Sequence, residues 1–434
     1  MYFQKEIETM PRKELNALQL KRLKHIVDYC ITNVPFYADR LGKAGVTAEK
    51  IKSLDDIKNI PPTTKADLKD NYPFGLFARP MKDIVRIHSS SGTTGKPSVV
   101  GYTKKDLDVW SDCVARICVA AGVTADDIVQ ITNAWGMLTG AMGFQYALEK
   151  IGATVIPNTS DNIDRTLMYM RDFGTTVLVS TPSVALNMRE VAKDLPYPRS
   201  DYKVRLGLLG SESSTVEMRN IIEKGWGLFA TDNYGISELT GPGVSGECTQ
   251  RNGLHFCEDC FYPEIIDSET LEVLDEGETG EMLVTTLVKE GIPLLRYRTG
   301  DITSLNYEPC VCGRTGVRMH KVKGRTDDML KIREVIVFPS QIESVLMSDE
   351  RIGGHYQLIV RTEGFIDTLE IKVELVDGRA LDSFSELEKL KNSLLDKIQS
   401  ALGLKCKLTL VEPKSLARVG TKPQRILDLR NQNL

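Results

Sequence analysis

Apolar residues at Leu20, Leu23, Ile26, Val27 and Cys30 repeat at intervals of three and four, which puts them on one face of a helix. Pro35, Pro61, Pro62 and Pro73 add turn signals, so the first ~80 residues read as a helical lead-in. From Ile84 to Ile302 short apolar runs recur (VRIH, DIVQIT, ATVIP, TVLVS, VRLGLLG, GLFATDNYG), several separated by amphipathic stretches such as Lys104–Gly122. Strands alternating with helices predict a large α/β body. Between Phe261 and Thr303 the pattern changes to β-rich segments joined by glycine-containing turns, as in a small distorted sheet or barrel-like part. A polar stretch at Gly324–Asp328 follows, and then VIVFPSQIESVL, YQLIVRT, TLEIKVELV, a charged helix over Ser383–Leu402 and CKLTLVE. That order predicts a small α+β domain of about 105 residues. We place the boundary between residues 326 and 327, giving domains 1–326 and 327–434.

Composition narrows the class. The 434 residues carry 55 Lys and Arg against 59 Asp and Glu, a net charge of −4, with 41% hydrophobic and 26% charged residues. This is an ordinary globular balance, without the basic excess of a nucleic-acid binder. No apolar run reaches the ~20 residues of a membrane span, and the opening MYFQKEIETMPRKELN lacks the apolar core of a secretory signal, so we expect a cytoplasmic protein. Its nine cysteines are then expected to stay reduced, and their spacing speaks of metal binding, reactivity or burial.

Ser89-Ser90-Ser91-Gly92-Thr93-Thr94-Gly95-Lys96-Pro97 lies between two apolar runs, Ile84–His88 and Val99–Tyr102. Small residues free backbone N–H groups to approach a polyphosphate, hydroxyls add donors, and Lys96 offsets negative charge. It is not a Walker loop: Pro97 stands where that motif needs Ser or Thr, and a strand rather than a helix follows.

Five cysteines fall between Cys248 and Cys312. Cys310-Val311-Cys312-Gly313 reads as a tight turn presenting two thiolates, while Cys248 and His255 flank Asn252-Gly253, a hairpin signal. Together they make a closed, structural zinc site of three thiolates and one imidazole. Cys257 and Cys260 are rival ligands from an apolar, strand-like stretch where free thiols also pack as hydrophobes.

The segment HSSSGTTGKPSVVGYTKKDLDVW resembles the phosphate-binding segment of the adenylate-forming enzymes, and closely that of phenylacetate–CoA ligases. The likeness extends through VPFYADRL, NYPFGLF, NYGISELTGPGVSGEC, GLHFCEDCFYPEIID, TTLVKEGIPLLRYRTGD, GRTDDMLKIREVIVFPSQIESVL and ARVGTKPQRILDLR. It implies an adenylation domain with a smaller, mobile C-terminal cap. It also implies ATP-dependent activation of an aryl carboxylic acid through an acyl-adenylate, transfer to coenzyme A, and pairing as a homodimer. Passage of the acyl group to a carrier protein or other acceptor is the alternative.

By the same resemblance Ser90, Ser91, Gly92, Thr93, Thr94, Gly95 and Lys96 hold the phosphates, and Gly210, Ser211 and Glu212 lie against adenine. Asn233, Tyr234, Gly235 and Ser237 also face the nucleotide, with Tyr234 packing on adenine; Asp301 accepts from the ribose hydroxyls and Arg325 reaches ribose or phosphate. Glu238 matches the acid that holds magnesium, a hard ion that prefers carboxylates. Lys422 matches a mobile catalytic lysine, although Thr421 replaces the usual preceding glycine. Asp327 or Asp328 corresponds to the hinge. Trp135, Gly136, Met137 and Gly140 fall in the segment, after the fourth or fifth strand, that lines the acid's aryl group, here without the family's phenylalanine. Glu334 replaces a glycine on the thiol's approach.

Overall fold

A computed structural model describes the chain apart from residues 91–96, 159–160, 213, 327–328, 333–334, 364–365, 378–383, 417–424 and 431–434. The chain divides into two compact units, residues 1–212 with 226–322, and residues 213–225 with 323–434.

Near the start of the first unit, after a single helical turn at Lys5–Glu8, α1 (Arg12–Asn33) buries Leu23, Ile26, Val27 and Cys30 as the spacing predicts. Pro35 ends it, because a residue before proline is pushed out of the helical region; Val34 is extended at φ −124° and α2 (Pro35–Ala44) starts on the proline. A hairpin of β1 (Arg86–Ser89) and β2 (Val99–Tyr102), paired Arg86 to Tyr102, carries the Ser/Thr/Gly loop between its strands. Helix α3 (Lys104–Ala121) is started by a reciprocal Thr103/Asp106 cap and stopped by Gly122 at φ 108°.

The main sheet alternates strands with helices: β3 (Ile128–Ile131), α4 (Gly140–Ile151), β4 (Thr154–Pro157), α5 (Ile163–Asp172), β5 (Val177–Ser180), α6 (Pro182–Asp194) and β6 (Leu206–Leu209). These strands run parallel in the order β4-β3-β5-β6, followed by β7 (Phe229–Ile236). Burial on both faces explains why β5 and β6 read as unbroken apolar runs. At β7 the sheet changes character: β8 (Gly241–Glu247) folds back antiparallel and pairs with β9 (Leu254–Phe256). The β-rich part supplies β10 (Phe261–Ile266), β11 (Gly280–Thr286) and β12 (Tyr297–Thr303), paired antiparallel as a separate sheet. The main sheet ends with β13 (Leu305–Asn306) and β14 (Arg318–Met319), β14 lying against β9.

In the second unit β15 (Leu330–Ile332) and β16 (Val335–Val337) form a hairpin ahead of α7 (Pro339–Met347). The hairpin of β17 (Ile352–Glu363) and β18 (Ile366–Leu375) gains β19 (Lys407–Val411) beside β18 and β20 (Ile426–Asp428) beside β17, both parallel. Between β18 and β19, α8 (Phe384–Leu402) buries Leu390, Leu394, Ile398 and Leu402, one per turn. This is the α+β pattern read from the sequence, and the mixed α/β first unit matches its own. No helix among the described residues is long and apolar enough to cross a membrane.

Candidate active site

Ligands in open α/β sheets bind beyond the carboxyl ends of the parallel strands, where the strand order switches. Four segments meet there. The segment Thr132–Gly140 follows β3, the third strand in chain order rather than the fourth or fifth expected from the resemblance. Thr181 follows β5, Gly210-Ser211-Glu212 follows β6, and Ser237-Glu238 turns from β7 to β8.

Hydrogen bonds tie these segments together. Asn133 Nδ2 donates to Ser211 Oγ at 3.4 Å, and the Thr139 and Ser237 hydroxyls lie 3.2 Å apart. The Ser183 amide, at the start of α6, donates to Glu212 Oε1 at 2.6 Å, so the Glu212 carboxylate serves a helix terminus. Met137 carbonyl oxygen accepts from Ser89 N at 2.9 Å, and Ser90 N donates to Ser98 O at 3.0 Å, which seats the base of the Ser/Thr/Gly loop beside the β3 segment. Asn233 Nδ2 donates to Leu209 O at 2.6 Å, against Gly210: a Cβ there would lie 2.5 Å from the Asn233 side-chain oxygen. A Cβ on Gly235 would stand 1.9 Å from the Gly241 carbonyl, so β7 and β8 approach this closely only over glycine. Tyr234 donates its hydroxyl to Asp301 Oδ2 at 2.5 Å, a bond that links the main sheet to β12. Asp301 is buried, at 3% exposure.

Trp135 donates its indole N–H to Asn158 O at 2.7 Å, while Met137 is 53% exposed and Gly136 sits at φ 98°. The segments that carry Asn133, Trp135, Ser211, Ser237 and Glu238 are thus tied together through the Asn133–Ser211 and Thr139–Ser237 bonds, with Ser90 next to the Ser89–Met137 bond and Tyr234, bonded to Asp301, on the strand that leads into Ser237's turn. Arg325 belongs to the second unit. Ser91, Gly92, Thr93, Thr94, Gly95, Lys96, Asp327, Asp328, Glu334 and Lys422 lie outside the described residues.

Residues 16–287 match the family model of the AMP-binding enzymes, and residues 334–430 that of the AMP-binding enzyme C-terminal domain. The phenylacetate–coenzyme A ligase of Thermus thermophilus is 43% identical, covering 99% of this chain and 100% of that protein. The chain belongs to the phenylacetate–coenzyme A ligase family. The Escherichia coli phenylacetate–coenzyme A ligase is 42% identical over 98% of this chain and 97% of its own length. Among solved structures, a 2-hydroxyisobutyryl-CoA ligase in its postadenylation state with 2-HIB-AMP superposes with a TM-score of 0.92 at 26% identity, covering 98% and 92% of the two chains. This ligase is accordingly an AMP-forming acid–thiol ligase: it activates a carboxylic acid with ATP as an acyl-adenylate and passes the acyl group to coenzyme A.

The fold adds one ligase residue that sequence reasoning passed over. Lys289, inside the run TTLVKEGIPLL, is only 3% exposed, and its ammonium donates to the backbone carbonyls of Glu238, at 3.3 Å, and Leu239. Burial pushes its pKa down to about 8 against the pull of Asp106 and Glu238. A lysine amid apolar residues was the available signal. His88 is buried too, with Nδ1 3.1 Å from the Met137 carbonyl; burial lowers its pKa, and Nε2 has no partner among the described residues.

Cys248, His255, Cys310 and Cys312 come together, their ligand atoms all within 4.8 Å of one another. Cys248 Sγ lies 3.9 Å from Cys310 Sγ, and Cys312 Sγ 3.4 Å from His255 Nε2. The β8–β9 hairpin faces Gly246 to His255, and Gly313 closes the other turn at φ 85° with its amide on Cys310 O. Buried Arg318 straps the two turns together through the carbonyls of Asn252 and, at 2.6 Å, Glu308. The Cys248 thiol is pushed up by its hydrogen bond to Cys312, which that bond and then His255 hold well below the usual thiol range.

Cys257 and Cys260 are not in this cluster. They bracket a turn rather than a strand, with the Cys260 amide on Cys257 O, and Cys257 Sγ faces the Cys113 carbonyl at 3.8 Å. The two residues between them, Glu258 and Asp259, are buried acceptors for Arg12 and Arg116, which is why the C-x-x-C spacing points elsewhere.

Proposed function

We propose that the acid is an arylacetate, with phenylacetate the first to test. The observation that carries this reading is the full-length 43% identity to a protein named phenylacetate-coenzyme A ligase. Trp135, anchored at one end and bordered by Gly136, Met137 and Gly140, supplies a flat apolar wall of the kind that gains affinity from buried carbon surface.

Two anions must meet in the first half-reaction, so cations and donors set the rate. An acid oxygen attacks the α-phosphorus, the bond to the bridging oxygen breaks, and pyrophosphate leaves. The coenzyme A thiol then adds to the acyl carbonyl, loses its proton and expels AMP. We assign the phosphates to the 90–96 loop, the ribose hydroxyls to Asp301, the nucleotide to Gly210, Ser211, Asn233, Tyr234, Gly235, Ser237 and Arg325, and the acid carboxylate and α-phosphate to Lys422. Glu238 suits magnesium: among the described residues no side chain donates to its carboxylate, and a hard divalent ion takes such oxygens. When bound, magnesium would offset triphosphate charge.

For the cysteine cluster we propose structural zinc. Tetrahedral bonds of about 2.3 Å to sulfur set ligand edges of about 3.8 Å, near the sulfur separation at Cys248 and Cys310. All four donors are protein atoms, so the site is closed. The reduced cysteines fit a cytoplasmic enzyme, and a homodimer is our expectation from the family resemblance; light scattering of the purified chain tests the latter.

The deciding assay incubates the full chain with ATP, magnesium and coenzyme A and follows AMP across phenylacetate, indoleacetate, benzoate and 2-hydroxyisobutyrate. Phenylacetate should give the highest kcat/KM. Preference for the aliphatic acid would overturn the substrate reading while leaving the ligase chemistry intact.

A further inference from the structure

Burying an ammonium without a direct ion pair is costly, even with the Asp106 and Glu238 carboxylates near enough to favour its charge, and an apolar residue of the same length would fill the space more cheaply. Lys289 nevertheless directs its donors at the carbonyls of Glu238 and Leu239 and sets its nitrogen 4.9 Å from the centroid of the Tyr102 ring. Tyr102, wholly buried, donates its hydroxyl to the next carbonyl, Thr240 O, at 2.9 Å. Trp110, stacked on Tyr102 at 5.2 Å, donates its indole N–H to Pro242 O at 2.7 Å. The carbonyls of residues 238, 239, 240 and 242 are thus each held by a side chain, while the amides of Leu239 and Thr240 turn back to Ile236 O.

The clamp is itself fixed. Asp106, the capping carboxylate of α3, accepts from the Glu290 and Gly291 amides at 2.7 and 2.8 Å, pinning the backbone next to Lys289. A Cβ on Gly291 would lie 2.4 Å from Gly101 O, so this segment packs directly on β2. Every backbone acceptor of the β7–β8 turn named here is engaged from within the protein, whereas the Glu238 carboxylate is left without a donor among the described residues.

We infer that Lys289 and Tyr102 are positioning residues that hold the turn so that the Glu238 carboxylate is presented to its metal ion, an inference that rests on the assignment of Glu238 to magnesium. Neither side chain needs to touch substrate. The predicted defect is in metal use rather than in stability alone.

The test measures the magnesium midpoint of acid-dependent ATP–pyrophosphate exchange, with melting temperature, for the full-length wild type, Lys289→Met, Tyr102→Phe, Glu238→Gln and a destabilised core control, Leu148→Ala. Lys289→Met should raise the midpoint about tenfold, as loss of outer-sphere support does elsewhere. Tyr102→Phe, which keeps the ring but loses the bond to Thr240, should raise it about threefold. Leu148→Ala should melt earlier with an unchanged midpoint. A Lys289→Met midpoint at the wild-type value, with Glu238→Gln shifted, overturns the clamp while sparing the metal assignment. An unshifted Glu238→Gln removes that assignment and the inference with it. If Lys289→Met fails to fold, Tyr102→Phe decides, and a wild-type midpoint in that variant overturns the proposal.

Discussion

The two ends of β8 carry polar assemblies of opposite kinds. At its start, the turn with Glu238 has its backbone carbonyls held by Lys289, Tyr102 and Trp110, and its buried carboxylate has no donor among the described residues. At its finish, about 23 Å away at the rise of a seven-residue strand, Cys248 enters a cluster whose donor atoms face one another. One end satisfies its own scaffold and leaves a buried carboxylate without a donor among the described residues; at the other the reactive groups face one another. A group held ready for a ligand leaves stability to its surroundings, whereas a closed metal site stabilises the fold and stays out of the chemistry. The same strand joins them.

The largest effect is expected for the lysine proposed to act in adenylation: Lys422→Ala should lower acid-dependent adenylation by about 10²–10³-fold while melting temperature stays at the wild-type value. A matching loss of stability would count against a purely catalytic role. At the cysteine cluster, Cys310→Ser should release the zinc measured by elemental analysis and lower the melting temperature by more than about 5 °C. Activity of the surviving folded enzyme at 25 °C should stay within about threefold of wild type, given the distance along β8. A kinetic collapse without loss of metal would merge the two ends into one site. A smaller effect is expected from Trp135→Ala: KM for phenylacetate should rise about tenfold, the size of a single apolar mismatch, with KM for ATP unchanged.

The smallest is a pH effect beside the closed end. Burial works against the Asp259 charge, yet the Arg116 and Arg22 guanidinium groups and the Cys260 thiol hold its pKa below the ordinary carboxylate value. A depressed folded-state pKa means the charged pair stabilises the protein above the unfolded-state value, and this contribution is lost as pH falls through the folded-state value. Acid unfolding of Asp259→Asn should therefore be less steep than that of wild type below the ordinary carboxylate range. Identical acid limbs would show that Asp259 is not a source of acid sensitivity.

Much of this was legible because its causes are local. The Leu23–Cys30 face, the helical stretch from Lys104, the charged helix that became α8 and the Ser/Thr/Gly loop between two strands each follow from local spacing. The Cys248/His255 pair was readable because a hairpin makes sequence neighbours spatial ones. Lys289 was not, since its partners lie about 50 positions earlier in the chain and are backbone carbonyls, which look alike in every sequence. Nor was the fate of Cys257 and Cys260: Glu258 and Asp259 pair with Arg12 and Arg116, more than a hundred positions away, and so set the turn between them. Residues 213–225 likewise group with the second unit although no local pattern separates them from β6 and β7.

Residue order alone determined the strand and helix types, the composition of the Ser/Thr/Gly loop and the resemblance to a ligase family, because periodicity and short motifs act over a few bonds. Which carbonyls a buried lysine would meet and which thiols would share a site were decided only when β7, β8 and the 286–296 segment packed. Those choices depend on directions and distances in three dimensions, which a list of side chains does not contain.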